Sequence, residues 1–162
     1  MPQRKLIPHV VNSQEITMLP PQALASLAVK QMTERNISAV VVTEDGTPKG
    51  RLLGIFTERD VLVRIVAAGR NARKTRLSDV MTHAPETLPS EARVIDALTF
   101  MRKRHYRHLP VVDDEHVVGM VSIRHLFAVV TEQLEDEVHE CEAFIFGSAY
   151  SVDKVQQRRL TH

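Results

Sequence analysis

One cysteine, no tryptophan and only 4% aromatic residues stand among the 162 residues of this chain. The lone Cys141 cannot form an internal disulfide, so no cross-linked framework holds the fold and a reducing compartment is expected. No apolar run is long enough to span a bilayer. The first residues, through Pro8, carry too short an apolar stretch for a secretory signal. Together these absences point to a cytoplasmic protein. Glycine and serine do not gather into a flexible linker. The formal net charge is +1, so no global field selects nucleic acid or membrane. What is present is ordinary for a globular protein, with 43% hydrophobic and 25% charged residues. The length suffices for one compact domain or two small packed halves.

Read in order, residues 1–10 are an arm or loose start. Met18-Leu19 is extended and stops at Pro20-Pro21, and proline suits a helix start. The following helix, to about Arg35, places Leu24, Leu27, Ala28, Val29 and Met32 on one face and is closed by Asn36. Val40-Val41-Val42 reads as a buried strand. After turn chemistry at 44–50, Leu52–Phe56 is a second strand. A helix over Arg59–Ala68 follows, with Val61, Leu62, Ile65 and Val66 inward and Gly69 as its stop. Residues 70–79 form a basic connector with Arg70, Arg73, Lys74 and Arg76.

The pattern then restarts. Leu88-Pro89 mirrors Leu19-Pro20, Ser90 suits a helix cap, and Val94, Ala97, Leu98 and Met101 follow at helical spacing. Ala97 and Met101 lie 69 residues after Ala28 and Met32, whereas Gly119 lies 65 after Gly54. One four-residue deletion in a turn reconciles the halves, as true repeats allow. Each copy is strand, helix, strand, strand, helix. One copy has too little core to stand alone; two can bury their sheet faces together, related by a pseudo-twofold axis with two clefts between them. The boundaries are 11–69 and 80–134. An acidic helix and polar tail fill 135–162, with Glu135, Asp136, Glu137, Glu140 and Glu142, then Phe144-Ile145-Phe146.

The motifs Gly54-Ile55-Phe56-Thr57-Glu58-Arg59-Asp60, Met81-Thr82, Arg107-His108-Leu109-Pro110-Val111-Val112-Asp113 and Gly119-Met120-Val121-Ser122, in this order across both halves, resemble a tandem pair of CBS domains, the Bateman module of stand-alone prokaryotic proteins. That resemblance implies an α+β (α/β) fold of two βαββα repeats. It also implies a regulatory module, commonly a homodimer, that binds an adenosine-containing ligand such as AMP, ATP or S-adenosylmethionine and signals through repeat or dimer rearrangement to a regulated protein. No obligatory cofactor is implied. Asp60 matches the position whose carboxylate accepts bonds from both ribose hydroxyls, which charged acceptors make strong. Thr57 matches the hydroxyl touching ribose or phosphate. Ser38 and Ala39 precede the buried strand where adenine approaches. Arg107, His108 and Arg124 offer positive charge to phosphates, aided by free N–H donors of a helix starting at Ile123.

A plainer explanation stands beside this one. Thr57-Glu58-Arg59-Asp60 has the form of a helix capping box, which needs no ligand. In the second half Ser122 keeps the hydroxyl, but His125 replaces the acid. An imidazole cannot accept two hydroxyl bonds as a carboxylate does. One competent site at Asp60 and one weakened or altered site at Ser122 are therefore expected; His125 either meets a phosphate or is solvated.

The run Arg102-Lys103-Arg104-His105-Tyr106-Arg107-His108 has three readings. It could complement a helix C-terminus, recognise phosphate through Arg107 and His108, or carry nucleic acid in a scaffold role, with Tyr106 stacking. Low net charge and scarce aromatics count against the last. His105 and His108 could share a helix face as metal ligands, but no nearby carboxylate or thiol completes a set of four. No nucleophile motif is present, so neither metal chemistry nor enzyme activity is expected.

Overall fold

The computed structural model describes residues 4–11 and 16–147. The chain divides into two units, one ending at Leu126 and the other beginning at Phe127. The first unit contains α1 (Leu6–His9), β1 (Met18–Leu19), α2 (Ala25–Glu34), β2 (Ala39–Thr43), β3 (Leu52–Thr57) and α3 (Glu58–Asp60), which runs into a π-helix over Val61–Val66. It continues with α4 (Leu77–Val80), β4 (Thr82–His83), β5 (Leu88–Pro89), α5 (Val94–Arg104), β6 (His108–Asp113), β7 (His116–Ser122) and the start of α6 (Ile123–Phe146). The βαββα order is thus present twice.

One sheet runs β1-β2-β3-β4 and the other β5-β6-β7. In each, the first two strands are parallel and the next pair antiparallel. The registers correspond closely: Val41 faces Ile55 and Pro110 faces Met120, and each hairpin shifts register late in its first strand. β2 is buried at all five positions, as an apolar β-branched run without polar alternation requires. Val40, Val42 and Phe56 join Ala25, Ala28 and Met32 of α2 in one core. The equivalent helix buries Val94, Ala97, Leu98 and Met101.

Several expectations need correction. The arm is not loose: Leu6 is fully buried, its N–H donates to Ala92 O at 2.9 Å, and Val94 N–H donates to Arg4 O at 2.9 Å. The connector does the same for the first repeat. Leu77 is fully buried, its N–H donates to Ala23 O at 2.8 Å, and Ala25 N–H donates to Thr75 O at 2.8 Å. Each repeat's core is therefore completed by the segment preceding the other repeat. Thr82–His83 goes further and pairs with β3 of the first sheet.

Ser90 is not a cap, because α5 starts at Val94 after Arg93. Likewise α2 starts at Ala25, beyond the prolines, and leaves Leu24 and Leu27 exposed. Leu62 and Val66 point outward at 62% and 65% exposure, while Ile65 is buried. Of the four positions expected inward, Val61 and Ile65 pack on the core; the segment is a π-helix, in which Ala67 N–H reaches Leu62 O and Arg70 N–H reaches Ile65 O. Asn36 and Gly69 end their helices at positive φ, as expected.

The second unit begins along α6. The acidic stretch and Phe144-Ile145-Phe146 belong to this one 24-residue helix, and Leu126 is its only buried residue among those described. The polar end from Val152 lies outside the described residues. Among the described residues no helix is long and apolar enough to cross a membrane.

Candidate ligand-binding cleft

A cleft of about 610 Å³ opens in the first unit between the start of β2, the β3–α3 turn, the segment after β4 and the turn into β6. Ser38, Thr57, Asp60, Arg107 and His108 all line it. Ala39 is buried in β2 and does not line it; nor do Ser122, the last residue of β7, and Arg124, in the first turn of α6.

The β3–α3 turn explains the position of Asp60. Thr57 N–H donates to Asp60 Oδ2 at 2.9 Å, Thr57 Oγ1 donates to the same oxygen at 3.1 Å, and Asp60 N–H donates to Thr57 Oγ1 at 3.4 Å. This is a closed capping box. Glu58 N–H is held by Ser38 O at 3.1 Å. Asp60 is only 8% exposed, and its Oδ1 meets Arg64 Nε at 3.4 Å. Arg64 Nη1 in turn donates to the carbonyls of Val80 and Met81, next to β4.

The opposite wall comes from the second repeat. His108 Nε2 lies 2.7 Å from Ser38 Oγ, a hydrogen bond linking the two repeats. Burial pushes the His108 pKa below its ordinary value; Glu58 opposes that shift and Arg107 reinforces it. Burial thus favours the neutral form of His108, which lines the cleft beside Arg107. The positive charge of the cleft comes from Arg59, Arg64 and Arg107, set against Glu58, Asp60 and Glu86. Tyr106 tilts against Phe100 at 6.2 Å, and burial, followed by a bond to Glu86, raises its hydroxyl pKa.

Two further expectations fail on geometry. Ile123 N–H is not free for an anion, since it donates to Arg107 O at 2.9 Å. His105 is the left-handed cap of α5, so His105 and His108 share no helix face. Arg102, Lys103 and Arg104 do occupy the last turn of α5, where cations complement the helix dipole.

Arg64 went unrecognised in the sequence, although its spacing four residues after Asp60 on a helix is a readable signal. His83 and Glu86 carried no signal, because they reach the cleft only through the pairing of β4.

The CBS domain family matches residues 9–67 and 77–132. The chain is 37% identical over 122 residues to the mitochondrial CBS domain-containing protein CBSX3 of Arabidopsis thaliana, a match covering 74% of this chain and 59% of that protein. This chain thus spans less than two thirds of its plant relative. The CBS-domain protein ATU1752 of Agrobacterium tumefaciens superimposes with a TM-score of 0.65 at 25% identity, over 73% of this chain and 86% of that one. CBSX2, solved in complex with AMP, has the same fold at a TM-score of 0.65 and 18% identity, over 79% and 96%. With both repeats matched in sequence and in topology, the chain belongs to the CBS-domain family and carries two copies in tandem.

Proposed function

We propose that the chain is a regulatory module that senses an adenosine-containing nucleotide of the AMP or ATP class in the cleft at Asp60. The observation that carries this reading is a nearly buried carboxylate in the wall of an open cleft that also presents arginines. A carboxylate can accept both hydroxyls of a ribose, and Arg59 and Arg107 suit phosphate. S-adenosylmethionine is a weaker fit, because its cationic sulfonium replaces the phosphates those arginines favour. The AMP complex of the like-folded CBSX2 supports the ligand class.

Asp60 already accepts twice from Thr57, both times on Oδ2, while its Oδ1 is held only by an ion pair with Arg64 Nε at 3.4 Å. Ribose hydroxyls approaching Oδ1 compete with that ion pair. Because Arg64 also grips Val80 and Met81, a change at Asp60 reaches the strap between the repeats. Differential affinity for the two arrangements supplies the energy of the shift. A homodimer in the cytoplasm and a regulated protein would read it, without turnover of the nucleotide.

Calorimetric titration with AMP, ATP, S-adenosylmethionine and a single-stranded RNA tests this. AMP or ATP binds the native chain, and Asp60→Asn weakens that binding at least tenfold while the chain still melts cooperatively. Wild-type affinity in Asp60→Asn, or binding of RNA alone with steep salt dependence, overturns the reading.

A further inference from the structure

The second unit presents a side-chain pattern unrelated to the cleft. Phe127, Thr131, Leu134, Val138, Cys141 and Ile145 follow one another at alternating steps of four and three along α6. All six are exposed, with Leu134 and Val138 each at 55% and Ile145 at 68%. Thr131, Val138 and Ile145 occupy one core position of the heptad. Phe127, Leu134 and Cys141 occupy the other. β-Branched residues at the first position favour a two-stranded coil, with Leu134 at the centre of the second.

The flanks of this stripe decide what can cover it. Glu135 and Glu142 lie on one side and Glu137 on the other, and from Phe127 to Phe146 there are six carboxylates and no lysine or arginine. A second copy fits badly. Parallel pairing sets Glu137 of one copy against Glu142 of the other, and antiparallel pairing sets glutamate flanks against each other. Like charges juxtaposed across an interface oppose association. A helix with an apolar seam and lysine or arginine flanks meets both the stripe and its charge. We infer that this face of α6 docks a basic amphipathic helix of a partner protein as a two-stranded coil.

The probe is a fluorescent three-heptad peptide with Val and Leu at its core positions and Lys on both flanks, compared with the same peptide carrying Glu flanks. Anisotropy titrations use the full chain. The Lys peptide binds at least tenfold tighter than the Glu peptide and weakens with salt. The double variant Leu134→Asp, Val138→Asp loses at least tenfold in affinity. Reversal of the flank charge in Glu135→Lys, Glu137→Lys inverts the peptide preference and leaves the seam intact, so the test survives a misfolded double variant. Equal binding of the two peptides, or no inversion on charge reversal, overturns the inference. So does sedimentation showing that Leu134→Asp, Val138→Asp halves the mass of the native chain, because a second copy then covers the face.

Discussion

Thr57 and Ser122 open helices at equivalent places in the two repeats, and each hydroxyl accepts the backbone N–H three residues on, from Asp60 at 3.4 Å and from His125 at 3.1 Å. The first turn closes its box, with Asp60 returning a bond to Thr57 N–H at 2.9 Å. In the second, His125 is exposed and the turn is held, among the described residues, by the Ser122 bond. The hydroxyl-to-N–H bond is common to both turns, and the return bond depends on the side chain three residues on. Asp60 holds an acceptor-rich group at the mouth of its cleft; the imidazole at 125 offers at most one acceptor. A repeat can keep its fold while one residue changes the groups that its turn presents.

The comparison can be broken most severely at the exchanged segments. Leu6 and Leu77 are both fully buried and complete opposite repeats. Leu6→Ala and Leu77→Ala should each cost about 2–5 kcal/mol in urea unfolding. A cost below about 0.5 kcal/mol for Leu6→Ala would mean that the N-terminal segment is an appendage after all.

The two close approaches come next. A Cβ on Gly119 would lie 2.1 Å from Val11 Cγ1, whereas one on Gly54 would lie 2.6 Å from Met81 Sδ and 2.8 Å from Thr82 O. Gly119→Ala and Gly54→Ala should each cost about 1–3 kcal/mol by overpacking. Adding Val11→Ala should relieve the first and leave the second unchanged, read as a double-mutant cycle. Equal relief of both would contradict the exchange of segments.

Rebuilding the missing box sharpens the comparison. His125→Asp should stabilise the chain by about 1 kcal/mol, seen as a higher melting temperature, and should strengthen nucleotide binding at the second site in calorimetry. Lower stability would show that Ser122 cannot support the reciprocal bond.

The smallest effect is a pH slope. His108 has its pKa lowered in the folded state, so the unfolded chain binds the proton more readily. Stability is then fully present above the ordinary histidine pKa of about 6.5 and is lost as pH falls below it. Urea midpoints at pH 7 and pH 5 should differ more in the native chain than in His108→Gln. An unchanged slope in that variant would assign the effect elsewhere.

Much of the fold was legible because its signals are local. Repeated apolar spacing marked α2 and α5, the β-branched run marked β2, and Asn36 and Gly69 marked helix ends. The π-helix was not legible, since its five-residue hydrogen bonds leave no separate mark in a sequence that also reads as α-helical. Of the residues that line the cleft, Thr57 and Asp60 are marked in the sequence by their motif and Arg107 by its place in the basic run. Arg124 was placed at the cleft by analogy alone. The burial of His108, which disfavours its charge, is not visible in a sequence.

The order of residues alone determined that two like units exist, where each has its strands and helices, and that an acid stands in one where a histidine stands in the other. These follow from local periodicity and side-chain chemistry. Only the tertiary structure decided that residues 4–11 complete the second repeat, that 75–83 complete the first, and that Ser38 meets His108 seventy residues away. Such pairings depend on which backbone donors and apolar faces remain unsatisfied once each repeat has formed, and an isolated stretch of sequence does not record that.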